Sequence, residues 1–244
     1  MTIGLRRKIV LVLVLVTYVM YGCANKVATS KVEPIRTPIK KVALLPVKEP
    51  RKYVLDKAIG GLALLGGIGL IINSVDTTAK AEKFAQAMKA QQPMVGKELM
   101  DSLESGLISE GYEVITLREQ DMGYADPSDY DYRKVKSDAD AIVHVWIKDA
   151  GVASPTTSVT YKPQLNIRAK VISMRDYQER YDEDFDYGSD AMKADEGNIP
   201  AEAKYRWGTF GSLIEKIPEV AEGLHVGARL LGARAAKGIH AGSN

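Results

Sequence analysis

Residues 141–147 (AIVHVWI), 161–173 (YKPQLNIRAKVIS) and 179–187 (ERYDEDFDY) decide the fold class, because all three read as β-strands of one sheet. The first is apolar at nearly every position, as a strand buried on both faces must be. The other two alternate, which is the pattern of strands with one face in a core and one outside it. In 179–187, Tyr181, Phe185 and Tyr187 fall on one face with Glu183, while Asp182, Asp184 and Asp186 share the other. That acidic face reads as solvated, and residues 174–178 read as the hairpin turn between the two strands.

Upstream, residues 113–117 (EVITL) form another candidate strand. Residues 93–110 before it read as a helix: Pro93 fits a first helical turn, Val95, Leu99, Leu103 and Leu107 recur at helical spacing, and Gly111 can end it. Residues 41–47 (KVALLPV) make a short buried strand with Pro46 near its end. Downstream of residue 203 the pattern is helical again, broken at Pro218. Leu213, Ile214 and Ile217 should pack from the first piece, and Val220, Leu224, Leu231 and Ala235 from the second. Gly223 and Gly227 suit close packing of that helix on the sheet. The order predicts an α+β domain over 41–240, with helices on one face of a mixed sheet.

An insertion, residues 48–92, separates the first strand from its helix. Within it, residues 58–75 (AIGGLALLGGIGLIINSV) run for 18 residues without a charge and hold Gly60, Gly61, Gly66, Gly67 and Gly69. Ala63 and Gly67 are spaced as a small-xxx-small pair, which lets helix backbones approach closely in lipid. A buried core hairpin or helix and a membrane-inserting or self-associating segment both fit this stretch. A phosphate-cradling loop does not, since neither GxxxxGK[ST] nor GxGxxG is present. Residues 76–91 follow as an amphipathic helix, with Phe84 and Met88 one turn apart beside Ala81 and Ala85, and Lys80, Lys83 and Lys89 toward water.

Residues 1–22 have the three regions of an export signal. Arg6, Arg7 and Lys8 resist crossing a membrane, residues 9–20 (IVLVLVLVTYVM) are apolar but short for a span, and Gly22 precedes Cys23, the single cysteine of the chain. This stretch, Met20-Tyr21-Gly22-Cys23, resembles the bacterial lipobox, in which Tyr21 is bulkier than usual. The resemblance implies lipidation of Cys23 and cleavage before it, with several acyl chains (palmitate among them) giving stable anchoring. Ala24 rather than Asp after the cysteine implies sorting to the outer membrane. Residues 23–40 then read as the lipidated cysteine and a polar tether with Pro34 and Pro38, reaching about 50 Å when extended.

Removing that signal changes the charge balance. Three of the 33 basic residues lie in it against none of the 31 acidic ones, so the remaining 222 residues carry a net charge of −1. The basicity belongs to targeting, and nucleic acid is not an expected partner. No second cysteine exists for a disulfide, and no GxSxG or HExxH motif is present. His144 lies inside an apolar strand, where a hydrogen-bonded core role outweighs catalysis. His225 and His240 stand 15 positions apart without acidic partners at ligand spacing. Asp121, Asp126, Asp129, Asp131, Asp138 and Asp140 lack the spacing of a calcium loop. The expectation is no catalytic residues, no metal and no cofactor: a non-enzymatic envelope protein facing the periplasm. Its partners would be the membrane, through the anchor, and a protein or a second copy of itself.

KVALLPVKEP, the glycine-rich insertion, SDADAIVHVWIKD, YKPQLNIRAKVIS and AKYRWGTFGSLIEKI together resemble a family of uncharacterised proteobacterial lipoproteins, over most of residues 41–235. Those motifs are packing patterns, so the resemblance implies a fold more than an activity. More distantly, the strand–helix–strand–strand order behind a lipid anchor is similar to the curli secretion channel lipoprotein and the TolB amino-terminal domain. In the former, insertions in such a core build a pore. Residues 58–75 lack the alternating pattern of barrel strands.

Overall fold

The computed structural model describes residues 38–57, 74–120, 129–154, 160–188 and 198–243. Cys23 and the small residues Gly60, Gly61, Ala63, Gly66, Gly67 and Gly69 lie outside them, as do Asp121 and Asp126. Contacts divide the chain into two units, residues 1–37 and 38–244, and the described residues all belong to the second.

The elements are β1 (Lys41–Leu44), β2 (Val54–Lys57), α1 (Ser74–Gln91), α2 (Val95–Ser109), β3 (Glu113–Thr116), β4 (Ala141–Ser154), β5 (Lys162–Ser173), β6 (Glu179–Tyr187), β7 (Asn198–Ile199), α3 (Phe210–Glu215) and α4 (Ile217–Ser243). A 3₁₀ turn, Tyr132–Lys134, precedes β4. The strands form one mixed sheet in the order β3-β1-β4-β5-β6-β7, with β2 also paired to β4. β4–β5 and β5–β6 are antiparallel, and the remaining pairs are parallel. This is the expected α+β architecture.

β4 is twice as long as its apolar run suggests. A bulge between Ile147 and Asp149 keeps it paired with β5 through the polar stretch that follows. Its first residues pair with β1 and its last with β2, so two short strands share one edge of a long one. β2 itself was not anticipated inside the insertion. Gly151 makes its docking possible: a Cβ there would lie 2.0 Å from the Val54 carbonyl oxygen.

One face of the sheet carries the core. Val143, Val145, Leu165, Ile167, Ala169, Val171, Phe185 and Tyr187 point to it and join Leu99, Leu103 and Leu107 of α2 with Val220, Leu224, Ala228, Leu231 and Ala235 of α4. Small residues set the spacing. A Cβ on Gly227 would stand 2.4 Å from the Tyr187 ring, and one on Gly106 would stand 2.7 Å from Cβ of Ala236. α4 therefore touches the sheet and α2 at backbone distance, as Gly223 and Gly227 implied.

The helix ends follow local chemistry. α2 closes with Tyr112 N–H donating to the Leu107 carbonyl (3.1 Å) and Gly111 N–H to that of Ile108 (3.0 Å), the paired bonds of a Schellman end. Gly111 sits at φ 92°, the left-handed region that glycine enters without a Cβ penalty. Pro93, expected in the first turn of α2, instead precedes its cap residue Met94. The break between α3 and α4 falls at Lys216, placing Pro218 inside the first turn of α4 where its missing N–H is harmless. Phe84 and Met88 of α1 are fully buried, and Lys83 and Lys89 face water, as their spacing predicts.

Candidate functional site

The opposite face of the sheet is polar, and its side chains come from alternate residues of the same strands. From β4 it receives Ile142, His144 and Trp146; from β5, Gln164, Asn166, Arg168, Lys170 and Ile172; from β6, Glu179, Asp182, Asp184 and Asp186. Register places His144, Lys170 and Asp182 in one row, and Trp146, Arg168 and Asp184 in the next. At one end the turn before β4 lies over the face. Leu45, Val135, Ile142 and Ile172 form a small second core there, joined by Tyr130 and Tyr132.

His144 is 2% exposed and shares a hydrogen bond, 3.0 Å, between its Nδ1 and the Tyr132 hydroxyl. Its ring meets Tyr130 and Tyr132 edge-on and lies 4.9 Å from that of Trp146. Burial, with the Lys170 charge adding to it, pushes His144 down to about 4, so the imidazole is neutral at pH 7. Tyr132 is pushed up to about 12, by burial and then by Asp182 and Glu179. Both rings thus keep their uncharged forms. The pair packs and bonds, and among the described residues no carboxylate is hydrogen-bonded to either ring.

Beside this cluster stands a ladder of charges. Arg168 grips Asp182 with both ends of its guanidinium, Nε to Oδ1 and Nη2 to Oδ2, each 2.6 Å. Lys170 donates to Glu179 at 2.9 Å and lies 3.1 Å from Asp182. Lys148, on the bulge of β4, donates to Asp184 at 2.9 Å. The Arg168 hydrogen bond, stronger than the opposing burial, holds the Asp182 carboxyl below its usual range. Burial opposes the Lys170 ammonium, yet its bonds to Glu179 and Asp182 keep its pKa above the ordinary value. Burial moves the Asp186 carboxyl upward, outweighing the opposing charge of Lys148.

The acidic face of β6 was expected to be solvated. Asp182 corrects that reading: its side chain is only 14% exposed, enclosed by the two cations of β5. The signal was present in the alternation of 161–173, which puts Arg168 and Lys170 on one face. Pairing them with the aspartates requires the strand register.

The other titratable candidates disperse. His225 Nε2 contacts the Pro93 carbonyl oxygen, and His240 lies edge-on to Tyr112. Asp140 accepts the backbone N–H groups of Lys40 (3.0 Å) and Lys41 (2.9 Å), Asp138 pairs with Lys41, and Asp131 accepts from Arg133 N–H. Among the described residues no three His, Cys, Asp or Glu side chains are grouped to hold a metal, and no helix is long and apolar enough to cross a membrane. A shallow groove of about 170 Å³ runs where β2 meets β4, lined by Leu55, Asp56, Asp149, Gly151 and Gln164.

No protein-family model and no curated protein matches this chain. Solved structures give partial likenesses. A lipoprotein of Neisseria meningitidis is 9% identical, with a TM-score of 0.32 over 60% of this chain and 81% of its own. A Xanthomonas campestris protein of the DUF330 family is 8% identical, with a TM-score of 0.37 over 84% and 87%. A homolog of the neuraminyllactose-binding hemagglutinin from Helicobacter pylori is 15% identical, with a TM-score of 0.28 over 82% and 89%. Likenesses at these scores carry no activity across.

Proposed function

We propose that this chain is a lipid-anchored bacterial envelope protein, without catalytic activity, that binds a protein partner through the polar face of its sheet. The observation that carries this reading is the Gly22-Cys23 junction at the end of the apolar run, followed by a contact unit that starts at residue 38. That order is anchor, tether, folded body. The body presents one face filled by helices and another built of ion pairs and a half-buried Trp146, a composition suited to wet, reversible contacts. His144 is bonded to a tyrosine and kept neutral, which favours a packing role over a catalytic one.

Cys23→Ser tests the anchor. The protein should leave the membrane fraction, and a variant that still sediments with membranes overturns the single anchor. Mass spectrometry of the mature amino terminus should show an acylated Cys23, and outer-membrane placement is read by density-gradient separation of the two membranes. For the partner, cross-linking in the native membrane should lose its product on Trp146→Ala but not on Lys83→Ala, which lies on α1.

A second reading rests on residues 58–75, whose charge-free, glycine-rich sequence suits lipid or self-association. Here the protein would be part of a membrane-inserting or pore-forming assembly. Deleting those residues should abolish oligomers while the domain stays folded; unchanged sizing behaviour refutes it.

A further inference from the structure

The insertion between β1 and α2 leaves and rejoins the body at one place, the amino-terminal end of α2. On the outgoing side, the loop from β1 to β2 crosses that end. The Glu49 carboxylate accepts the N–H groups of Gly96 and Lys97, both at 3.0 Å. These are first-turn donors without helical partners, and the cap residue Met94 offers no side-chain bond to them. Gly96 is shaped for the crossing: a Cβ there would stand 2.9 Å from the Lys48 carbonyl oxygen. On the returning side, α1 meets α2 through Gln92, Pro93 and Met94. Gln92 (φ 47°) and Met94 (φ 44°) both take the left-handed backbone that a Cβ disfavours. Met94 is 55% exposed, so no burial of its side chain explains that conformation. The Pro93 carbonyl between them is held by His225 of α4.

We infer that Glu49 and the Gln92–Met94 corner form a latch and a strained hinge, about which β2 and α1 open together while the rest of the body stays folded. Among the described residues β2 pairs in the sheet with the last residues of β4 alone. α1 packs chiefly on β2, α3 and α4. The two elements thus pack on each other and join the rest of the body through β4, α3, α4 and the start of α2, the arrangement of a cooperative sub-global unit. Opening uncovers Leu55, Phe84 and Met88, apolar side chains that the closed state buries. Strain at two non-glycine residues favours it, since both can relax once α1 leaves.

Hydrogen exchange of the full-length protein, read by mass spectrometry, tests the device. Peptides covering β2 and α1 should share one exchange rate, faster than that of peptides from β5 and α4. Glu49→Ala should raise that rate about tenfold in both elements without changing β5 or α4, because two charge-assisted bonds are lost. Met94→Gly should lower it about fivefold by removing the hinge strain. β2 and α1 exchanging at the rate of β5, or at two unrelated rates, overturns the inference. So does a Glu49→Ala effect that spreads evenly over the chain or stops at the first turn of α2. Should Glu49→Ala fail to fold, Met94→Gly decides alone: an unchanged or faster opening rejects the hinge.

Discussion

The twelve residues of β5 build two unlike surfaces. Leu165, Ile167, Ala169 and Val171 enter a core closed by α2 and α4, where glycines let backbones touch aromatic rings. Gln164, Asn166, Arg168 and Lys170 enter a face held by ion pairs and one histidine–tyrosine bond. On the first face, shape complementarity sets the energy, so the protein should tolerate little change of volume. On the second, each contact exchanges hydration for a charge pair, so most single changes should cost little.

The contrast is broken most directly at Gly227. Gly227→Val drives branched carbons into the Tyr187 ring and should cost more than about 3 kcal/mol, read as a lowered midpoint in urea unfolding. A loss under about 1 kcal/mol would mean that α4 sits less tightly than its glycines imply.

His144 is the point where the polar face behaves like a core. Its pKa is lowered on folding from 6.5 to about 4, so between those values the unfolded chain holds the extra proton. Stability should therefore be flat above pH 6.5 and fall as pH drops below it, by on the order of 2 kcal/mol at pH 4.5. His144→Phe should flatten that slope. Asp182 adds little to the slope above pH 4.5, because its lowered carboxyl makes stability fall only as pH drops from its ordinary value of 3.8 through the folded one. An unchanged slope in the variant would assign acid sensitivity elsewhere.

Smaller effects follow outward. Arg168→Ala leaves Asp182 facing Lys170 alone and should cost about 1 kcal/mol, with the loss shrinking in high salt. Lys148→Ala removes an exposed pair on the bulge and should cost under about 0.5 kcal/mol. If these two were equal, the bidentate geometry at Arg168 would contribute nothing beyond charge.

The core face was legible in sequence because period and composition agree there. Strands 141–147, 161–173 and 179–187, the Val95–Leu107 stripe and the closing Gly111 all point the same way. β2 was not legible: VLDK is four residues with two charges, and it becomes a strand only because β4 runs on past its apolar stretch. β7, with two residues, has no period to read. The cap on α2 comes from Glu49, 47 positions away, which no local signal announces. The polar face is half legible: the residue types are visible by alternation, but the aspartates' cross-strand partners depend on register. His144 is legible as a bonded interior residue, though the turn supplying Tyr132 carries no pattern that reveals it.

The shared edge of β4 also bears on how the chain folds. β4, β5 and β6 form a meander whose pairings close through short connections, and the β5–β6 turn spans only a few residues. β1, by contrast, pairs Val42 with Val114 and with Ala141, so its place in the sheet waits on closing loops of 72 and 99 residues. Loop closure of that length is the slow kind of contact, and its entropy must be met before β1, β3 and α2 can settle. The meander is expected to form first and serve as template. Mutations in its strands should then slow folding, whereas those in β1 and β2 should mainly speed unfolding.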